Sequence, residues 1–392
     1  MEGDFIAINN WLRPFSWLYG LGVSFRNFLF DVGVLKSRAF AVPVISVGNI
    51  TVGGTGKTPH VEYLVRLLSK SAHVAVLSRG YKRKSKGFVM AGEKTTAVEI
   101  GDEPYQMKQK FPDLVVAVDK DRVHGIETLM ARQYDIDVVL LDDAFQHRYV
   151  KPGINILLVD YHRLVIYDAL LPAGRLREPL SGKDRADIVI VTKCPAELKP
   201  MDFRVMSKAM NLFPYQRLYF TALRYDRLQP LFGNLTGNDT EEPLQHLESL
   251  KERHVLLLTG IASPRQMVED LQPYTAHLTA LSFPDHHSFT KKDIQQLNDA
   301  FASLPTPRCV VTTEKDAARL ATIEGLSADV RSHLYVLPVR IEFLLDQEVN
   351  FNENIINYVR TNSRNSILAK TKDDHRTQDG NRSGDRPRTI SF

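Results

Sequence analysis

The chain has 392 residues, 43% of them hydrophobic and 24% charged, a balance typical of a soluble globular protein large enough for two domains. The formal net charge is only +4, which gives no argument for a nucleic-acid partner, and we infer no protein partner either. The two cysteines, Cys194 and Cys309, lack the paired spacing of a zinc module or a disulfide scaffold.

The N-terminal segment, residues 1–40, predicts an amphipathic helix that begins near Pro14. Its large apolar residues recur at steps of three and four, which places them on one face of a helix. This apolar stripe consists of Trp11, Phe15, Leu18, Gly22, Phe25 and Leu29. The sequence contains no uninterrupted apolar stretch of membrane-spanning length, so a conventional span is not expected. Two interpretations stay open: the helix packs on the body of the protein, or it also enters a membrane surface.

Residues 41–214 alternate short apolar runs with helix-length segments, which predicts an α/β domain with a mostly parallel sheet. The expected strands are 43–48, 73–78, 114–119, 137–142, 154–159 and 187–192. A smaller α/β domain is expected over residues 254–350, with helices that begin at Ser263 and Thr290. Between the two, residues 215–253 predict a β linker, and the polar composition of 362–392 predicts a disordered tail.

The segment GNITVGGTGKTP, residues 48–59, predicts a phosphate-binding loop because it follows a strand and opens a helix. Lys57 would reach the β- and γ-phosphates of a nucleotide, and the Thr58 hydroxyl would bind Mg²⁺. Thr51 stands where the common pattern has its first glycine. We expect a negative φ at Thr51 and left-handed backbone angles at the three glycines of the cradle. These glycines are Gly53, Gly54 and Gly56.

A phosphate-binding loop also needs an acidic residue at the end of a neighbouring strand to orient the metal ion. Asp142 and Asp143 follow the apolar run of the strand at 137–142 and are the expected metal-binding pair. The sequence does not distinguish which of the two contacts the metal. Together with the loop, the pair predicts binding of ATP and Mg²⁺ and gives the fold the character of a P-loop NTPase.

Five further segments carry side chains suited to phosphoryl transfer or nucleotide binding, although a purely structural or solvated surface role is the competing interpretation for each of them. Asp102 of GDEP could accept a proton from a hydroxyl, and Asp285 with His286 or His287 could form an acid–base pair. The basic run at 78–86, with Arg79 and Tyr81, could hold a phosphorylated or membrane-borne substrate. The arginines of LPAGRLREP, Arg175 and Arg177, suit the charge of a transferring phosphoryl group, and TTEKD at 312–316 could contact a nucleotide base.

These motifs, in this order, resemble the lipid A 4'-kinase family, also called tetraacyldisaccharide 4'-kinases. The resemblance rests on VPVISVGNITVGGTGKTP, LSRGYKRK, GDEP, DKDRVHG, LLDDAFQH, LPAGRLREP, LTGIASP, FPDHHSF and TTEKD, and it spans roughly residues 10–345. It implies transfer of the ATP γ-phosphate, with Mg²⁺, to the 4'-hydroxyl of a tetraacyldisaccharide 1-phosphate, which makes lipid IVA. It also implies two α/β domains joined by a β linker, an active site between them, and a place at the cytoplasmic face of the Gram-negative inner membrane.

The resemblance also implies roles for individual residues. Asp102 would be the general base, assisted by His286 from the second domain, so that domain closure would assemble the site. The residues implied at the phosphates and the metal are Thr55, Lys57, Thr58, Arg122, Asp142, Asp143 and Arg177, with Tyr81 and Arg79 near the acceptor.

Two other functions remain as alternatives. A membrane-associated P-loop switch ATPase would carry a signature lysine where this chain has Val52. A P-loop kinase of a small soluble metabolite would not need the apolar stripe or the basic run.

Overall fold

The computed structural model describes residues 8–132, 135–195, 197–232, 246–261, 264–285, 287, 289–321 and 323–363. Two sheets organise this part of the chain, and the larger has nine strands in the order β14-β8-β7-β6-β1-β5-β2-β4-β3. Its strands are β1 (Val44–Gly48), β2 (Val74–Ser78), β3 (Val89–Met90), β4 (Val115–Val118), β5 (Val138–Asp142), β6 (Ile154–Asp160), β7 (Ile188–Thr192), β8 (Arg217–Tyr225) and β14 (Val339–Phe343). Only β3 and β14, at the two edges, pair antiparallel within this described sheet.

The smaller sheet has the order β11-β10-β12-β13-β9. Its strands are β9 (Gln229–Pro230), β10 (His254–Thr259), β11 (His277–Ser282), β12 (Arg308–Thr313) and β13 (Leu334–Leu337). All of these pair in parallel except β9, which lies antiparallel to β13. The α/β class predicted from the sequence is therefore confirmed. The described residues form one large and one small sheet, and both sheets are mostly parallel.

Helices cover both sheets, as right-handed crossovers between parallel strands require. They are α1 (Arg13–Asp31), α2 (Lys57–Leu68), α3 (Ala97–Ile100), α4 (Asp102–Lys110), α5 (Arg122–Ala131), α6 (Pro200–Met210), α7 (Pro264–Leu271), α8 (Lys291–Ala302), α9 (Glu314–Leu320), α10 (Ala328–Ser332) and α11 (348–363). The central strands β1, β2, β5 and β7 are buried along their whole length, which explains why they read as continuous apolar runs.

The chain passes between the sheets twice. It leaves the larger sheet after β8 and returns after β13 at Pro338, which separates β13 from β14. The strand β14 and helix α11 then pack in the core of the larger sheet, where Phe343, Phe351 and Ile355 are buried. Residues 339–350, which the sequence assigned to the second domain, therefore pack with the first sheet, because long-range pairing with β8 decides their place. Most of the predicted tail, 364–392, and the polar part of the predicted linker, 233–245, lie outside the described residues.

Helix α1 contacts the body through a face whose buried residues are Ser16, Gly20 and Phe30. Ser16 Oγ donates to Leu170 O at 3.0 Å, and a Cβ on Gly20 would lie 2.7 Å from Leu170 Cδ1. The predicted apolar stripe remains exposed except at Leu29, which is half-buried, with Trp11 at 88% and Leu18 at 68% of full exposure. Both interpretations of the helix thus have a structural basis, since one face packs and another faces outward. Among the described residues, no helix is both long and apolar enough to cross a membrane.

Candidate active site

The loop between β1 and α2 has the backbone of a phosphate cradle. Gly53 has φ +119° and Gly56 has φ +77°, both left-handed conformations that favour glycine. Gly54 does not have a positive φ, so the expectation for that glycine was wrong. Glycine permits a left-handed angle but does not impose one.

Thr51 has no positive φ, as expected, and its backbone explains why a side chain is tolerated there. It forms an antiparallel bridge with Leu176 of the LREP segment. Val52 N–H donates to Arg175 O and Arg177 N–H donates to Ile50 O, both at 2.8 Å. The extended backbone at Thr51 therefore brings the arginines of the LREP segment to the phosphate loop.

A buried polar network supports the loop from below, and sequence reasoning missed it. Asn49 Nδ2 donates to Thr55 Oγ1 at 2.9 Å, so the Thr55 side chain is engaged in holding the loop. Gln146 Nε2 donates to Asn49 O at 2.5 Å and to Glu178 Oε1 at 3.1 Å. Arg185 Nη2 donates to Glu178 Oε2 at 2.8 Å. The glutamate of LREP is thus a structural acceptor beneath the cradle, and the role of Thr55 at the phosphates stays a prediction.

The end of β7 braces the loop from the side. Thr192 Oγ1 donates to Thr55 O at 3.0 Å, and Lys193 Nζ bonds both Gly54 O and Asp160. The signal available in the sequence was the polar sequence TK directly after an apolar run, because the carboxyl ends of parallel strands meet at one edge.

His60 anchors the first turn of α2. Its Nδ1 lies 2.7 Å from Gly56 O and its Nε2 lies 3.0 Å from Thr221 Oγ1 of β8. Burial lowers the pKa of His60 to about 4, so the ring is neutral at physiological pH. The phosphate loop is therefore attached to β8, the strand after which the chain leads to the smaller sheet.

Two predicted cations converge on Asp143. Lys57 Nζ lies 3.7 Å from Asp143 Oδ1, and Arg177 Nη1 lies 3.3 Å from Asp143 Oδ2. Burial favours the neutral acid, but the charges of Lys57 and Arg177 outweigh it and lower the pKa of Asp143. Asp143 also has φ +47°, a conformation that turns the chain sharply after β5. The site therefore presents two cations and a carboxylate beside the cradle.

The pKa of Asp142 is shifted upward, in the opposite direction from the pKa of Asp143. Burial, followed by the charges of Glu103 and Asp143, raises the pKa of Asp142 to about 7. Its Oδ2 accepts from Ser78 Oγ at 3.3 Å, while its Oδ1 is buried without a hydrogen-bond partner. Carboxylates that repel one another around an unsatisfied oxygen suit a divalent cation.

The donor set therefore fits Mg²⁺ in the manner of a P-loop enzyme. In the part of the chain that the structure describes, no three His, Cys, Asp or Glu side chains cluster closely enough to hold a metal by themselves. Mg²⁺ usually takes only one or two carboxylates and completes its shell with water and phosphate oxygens. Thr58, in the first turn of α2, adds the hydroxyl expected of such a site.

Arg122 lies deeper than its predicted role requires. The side chain is buried, and its Nη1 donates to Asp119 O at 2.9 Å while Nη2 donates to Asp142 O at 3.3 Å. Burial lowers the pKa of Arg122 to about 10, although Asp142 opposes that shift. In this structure Arg122 braces the ends of β4 and β5, and a phosphate contact stays a prediction.

The main chain of Tyr81, a predicted acceptor residue, lies against the start of α4. Gly101 has φ +93°, and a Cβ at this position would lie 2.9 Å from Tyr81 O. This close approach places Asp102, the first residue of α4, beside Tyr81. Tyr81 is 60% exposed and Arg79 is also exposed, as substrate contacts require. Arg83 of the same basic run is half-buried instead, and it donates to Val118 O at the end of β4 at 3.3 Å.

His286, the predicted partner of Asp102, lies outside the described residues. The flanking residues are described: Asp285 Oδ1 accepts from Lys315 Nζ at 2.9 Å, and His287 Nε2 lies 2.9 Å from Asp293 Oδ2 at the start of α8. His287 also stacks on Phe283. His287 is therefore committed to the smaller sheet's own packing.

A cavity of about 270 Å³ lies between the phosphate loop and the smaller sheet. Its floor is formed by residues 54–59, and Glu103 lies at its side. Apolar side chains from the other direction include Ile261, Met267 and Leu337. The cavity has the polar floor and apolar walls expected of a nucleotide site.

Comparison with known proteins gives consistent matches. A model of the family described as tetraacyldisaccharide-1-P 4'-kinase (LpxK) matches residues 8–360. The tetraacyldisaccharide 4'-kinase of Phocaeicola vulgatus is 59% identical over 369 residues, which cover 93% of this chain and 99% of that protein. The one of Bacteroides thetaiotaomicron is 53% identical over 380 residues, covering 96% and 100%. A crystal structure of LpxK from Aquifex aeolicus in complex with ATP is 31% identical, covers 90% of this chain and 99% of that one, and has a TM-score of 0.66.

Proposed function

The chain belongs to the tetraacyldisaccharide-1-P 4'-kinase family, and from that premise we propose how its residues divide the work of phosphoryl transfer. It is an ATP-dependent kinase that phosphorylates the 4'-hydroxyl of a tetraacyldisaccharide 1-phosphate in lipid A biosynthesis. A sugar hydroxyl is a weak nucleophile. The reaction therefore needs a positioned proton acceptor and fixed positive charge at the transferring phosphoryl group.

On the phosphate side, the cradle of Gly53 and Gly56 would bind the triphosphate through main-chain N–H groups. Lys57 and Arg177 both contact Asp143 in this structure. When ATP binds, the two side chains would contact the β- and γ-phosphates instead. Thr58, Asp142 and Asp143 would hold Mg²⁺, which when bound supplies charge neutralisation at the phosphate oxygens.

On the acceptor side, Asp102 would take the proton of the 4'-hydroxyl. The 4'-oxygen then forms a bond to the γ-phosphorus, the bond from that phosphorus to the β–γ bridging oxygen breaks, and ADP leaves. His286 would assist Asp102, while Tyr81 and Arg79 would orient the sugar. The observation that carries this proposal is the start of α4: Gly101 brings Asp102 against the Tyr81 loop, and the adjacent Glu103 lies close enough to the metal carboxylates to raise the pKa of Asp142.

The test measures turnover of Asp102→Asn and His286→Ala with saturating Mg-ATP and lipid acceptor. We expect kcat to fall by roughly 10²–10⁴-fold for a lost general base, with ATP binding preserved. Asp113→Asn is a matched control, since Asp113 is an exposed acid just beyond α4. A near-wild-type rate in either test variant would remove that residue from the mechanism.

We also propose that the exposed face of α1 enters the surface of the membrane that carries the substrate, at the cytoplasmic face of the inner membrane. Trp17 is 71% exposed and Leu21 is 68% exposed beside the predicted stripe. Tyr19 Oη donates to Arg177 O at 2.6 Å, so the helix contacts the segment that carries a phosphate-facing arginine. Membrane contact would thereby lie next to the site that must receive a lipid-borne sugar.

Flotation with anionic phospholipid vesicles tests this proposal. Because burying a leucine side chain contributes about 1.5–3 kcal/mol, Leu18→Glu should weaken vesicle binding by roughly tenfold or more. Met201→Glu in α6 is the control, since Met201 is 64% exposed and Leu18 is 68% exposed. Equal flotation of the two variants would contradict the membrane role of α1.

A further inference from the structure

Helix α9, which continues the TTEKD motif, sends a buried arginine to the start of α4. Arg319 donates to Asp102 Oδ2 through Nε at 3.0 Å and through Nη2 at 2.6 Å. The Arg319 side chain is only 8% exposed, and the Asp102 side chain is 24% exposed. Arg319 of α9 thus binds one oxygen of the Asp102 carboxylate, the group that we assign as the proton acceptor.

A buried carboxylate, that of Asp316, holds the Arg319 guanidinium in place. Its Nη1 donates to Asp316 Oδ1 at 2.9 Å, and the Asp316 side chain is fully buried. Asp316 Oδ2 in turn accepts from Gly260 N–H and from Thr313 Oγ1, each at 2.8 Å. Gly260 follows β10 and Thr313 ends β12, so two strands of the smaller sheet fix the direction of the guanidinium.

A second contact fixes the other end of α4. Lys110, the last residue of α4, bonds Glu314 at the first residue of α9 and lies 2.6 Å from Glu62 of α2. Helices α4 and α9 are therefore joined at both ends. Glu62 belongs to α2, the helix that follows the phosphate loop. These contacts therefore also fix the position of α4, and with it Asp102, relative to the phosphate loop.

The residue after Glu314 points to the other predicted catalytic segment. Lys315 Nζ donates to Asp285 Oδ1 at 2.9 Å, and Asp285 directly precedes His286. Helix α9 therefore contacts both segments that carry the proposed acid–base groups. A buried ion pair costs desolvation free energy and is weak evidence for stability alone. Helix α9 has seven residues and takes part in four charged contacts. Stability alone is a weak explanation for so many ion pairs, which favours a role in the reaction.

We propose that Arg319 is a positioning residue for the phosphoryl transfer, which acts through Asp102. The guanidinium fork holds one oxygen of the carboxylate through two nitrogens, so that Asp102 meets the sugar hydroxyl in one orientation. This inference rests on the proposed role of Asp102 as the proton acceptor. Lysine cannot reproduce a two-nitrogen contact, so the guanidinium geometry as well as its charge matters here.

The experiment is a double-mutant cycle in kcat at saturating ATP and lipid. Arg319→Gln should lower kcat by about 10–100-fold, because a misplaced catalytic group loses rate without losing ground-state binding. The KM for ATP should stay within about twofold, since the cradle is untouched. In an Asp102→Asn background, Arg319→Gln should cause no further loss, because residues that act as a unit are not additive.

Arg308→Gln is the matched control. Arg308 also lies in the smaller sheet and pairs with a carboxylate, Asp329, at 2.7 Å, but the Arg308–Asp329 pair does not involve α4. This variant should keep the wild-type kcat. If Arg319→Gln does not fold, Arg319→Lys carries the test: a lowered kcat with a normal melting temperature supports the proposal, and a wild-type kcat overturns it.

The outcomes separate this inference from the proposed function. Full activity in Asp102→Asn would remove the proton acceptor and the inference together. An inactive Asp102→Asn with an unaffected Arg319→Gln would remove the inference alone. Losses that multiply in the double variant would show that Arg319 acts independently of Asp102, which also overturns the inference.

Discussion

Gly101→Ala tests the junction that places Asp102, the proposed proton acceptor, beside Tyr81. Gly101 has φ +93° and ψ 160°, a region that essentially only glycine occupies. Forcing alanine into it costs about 1–3 kcal/mol. The new Cβ would also lie 2.9 Å from Tyr81 O and 3.3 Å from two Gly80 atoms, all of them main chain. Such overpacking typically adds about 1–3 kcal/mol, so the total is roughly 2–6 kcal/mol.

That strain can be relieved only by moving the Tyr81 loop or the start of α4. We therefore expect Gly101→Ala to lower both the free energy of unfolding, measured by urea titration, and kcat, measured with saturating substrates. Gly92→Ala is the matched control, because a Cβ at Gly92 would meet only Thr95 Oγ1 at 3.9 Å. Wild-type stability and turnover in Gly101→Ala would show that the close approach of Gly101 to Tyr81 does not position Asp102.

Two further perturbations test the segment around the LREP motif. Burial raises the pKa of Asp168, but hydrogen bonds from Arg163 and from main-chain amides outweigh it and lower the pKa. The stability that Asp168 contributes should therefore be complete above about pH 4 and be lost below it, so Asp168→Asn should lower the melting temperature at pH 7 more than at pH 3. Glu178→Ala removes one hydrogen-bond acceptor from each of Arg185 and Gln146 beneath the phosphate loop, and calorimetry should show ATP binding weakened by roughly tenfold. Unchanged ATP affinity would mean that this network does not shape the cradle.

Much of the larger sheet was predictable because its central strands are local apolar runs. The strand expected at 43–48 is observed as Val44–Gly48, and the one expected at 137–142 as Val138–Asp142. The left-handed angles at Gly53 and Gly56 in the loop between β1 and α2 were also predictable, because the loop pattern consists of consecutive residues. The convergence of Lys57 and Arg177 on Asp143 follows from strand ends that meet at one edge.

The remaining features depend on contacts that no local pattern encodes. Asp102 and Arg319 are 217 positions apart, and only the packing of α4 on α9 brings them together. The inward turn of Arg122 and the support of the cradle by Glu178 likewise depend on which neighbours complete their hydrogen bonds. The return of β14 to the larger sheet depends on pairing with β8 across more than a hundred residues. The division into two domains at the predicted bounds remains a proposal.

The most direct test of the account compares ADP formation with lipid phosphorylation in one reaction. Purified protein would be given Mg-ATP and the 1-phosphorylated tetraacyl disaccharide in mixed micelles, with a small soluble alcohol as the control acceptor. We expect one phosphorylated lipid for each ADP, with both lost together in Asp102→Asn and no product from the soluble alcohol. ADP release without lipid phosphorylation, as in a switch ATPase, or efficient phosphorylation of the soluble alcohol would rule out the proposed lipid kinase mechanism.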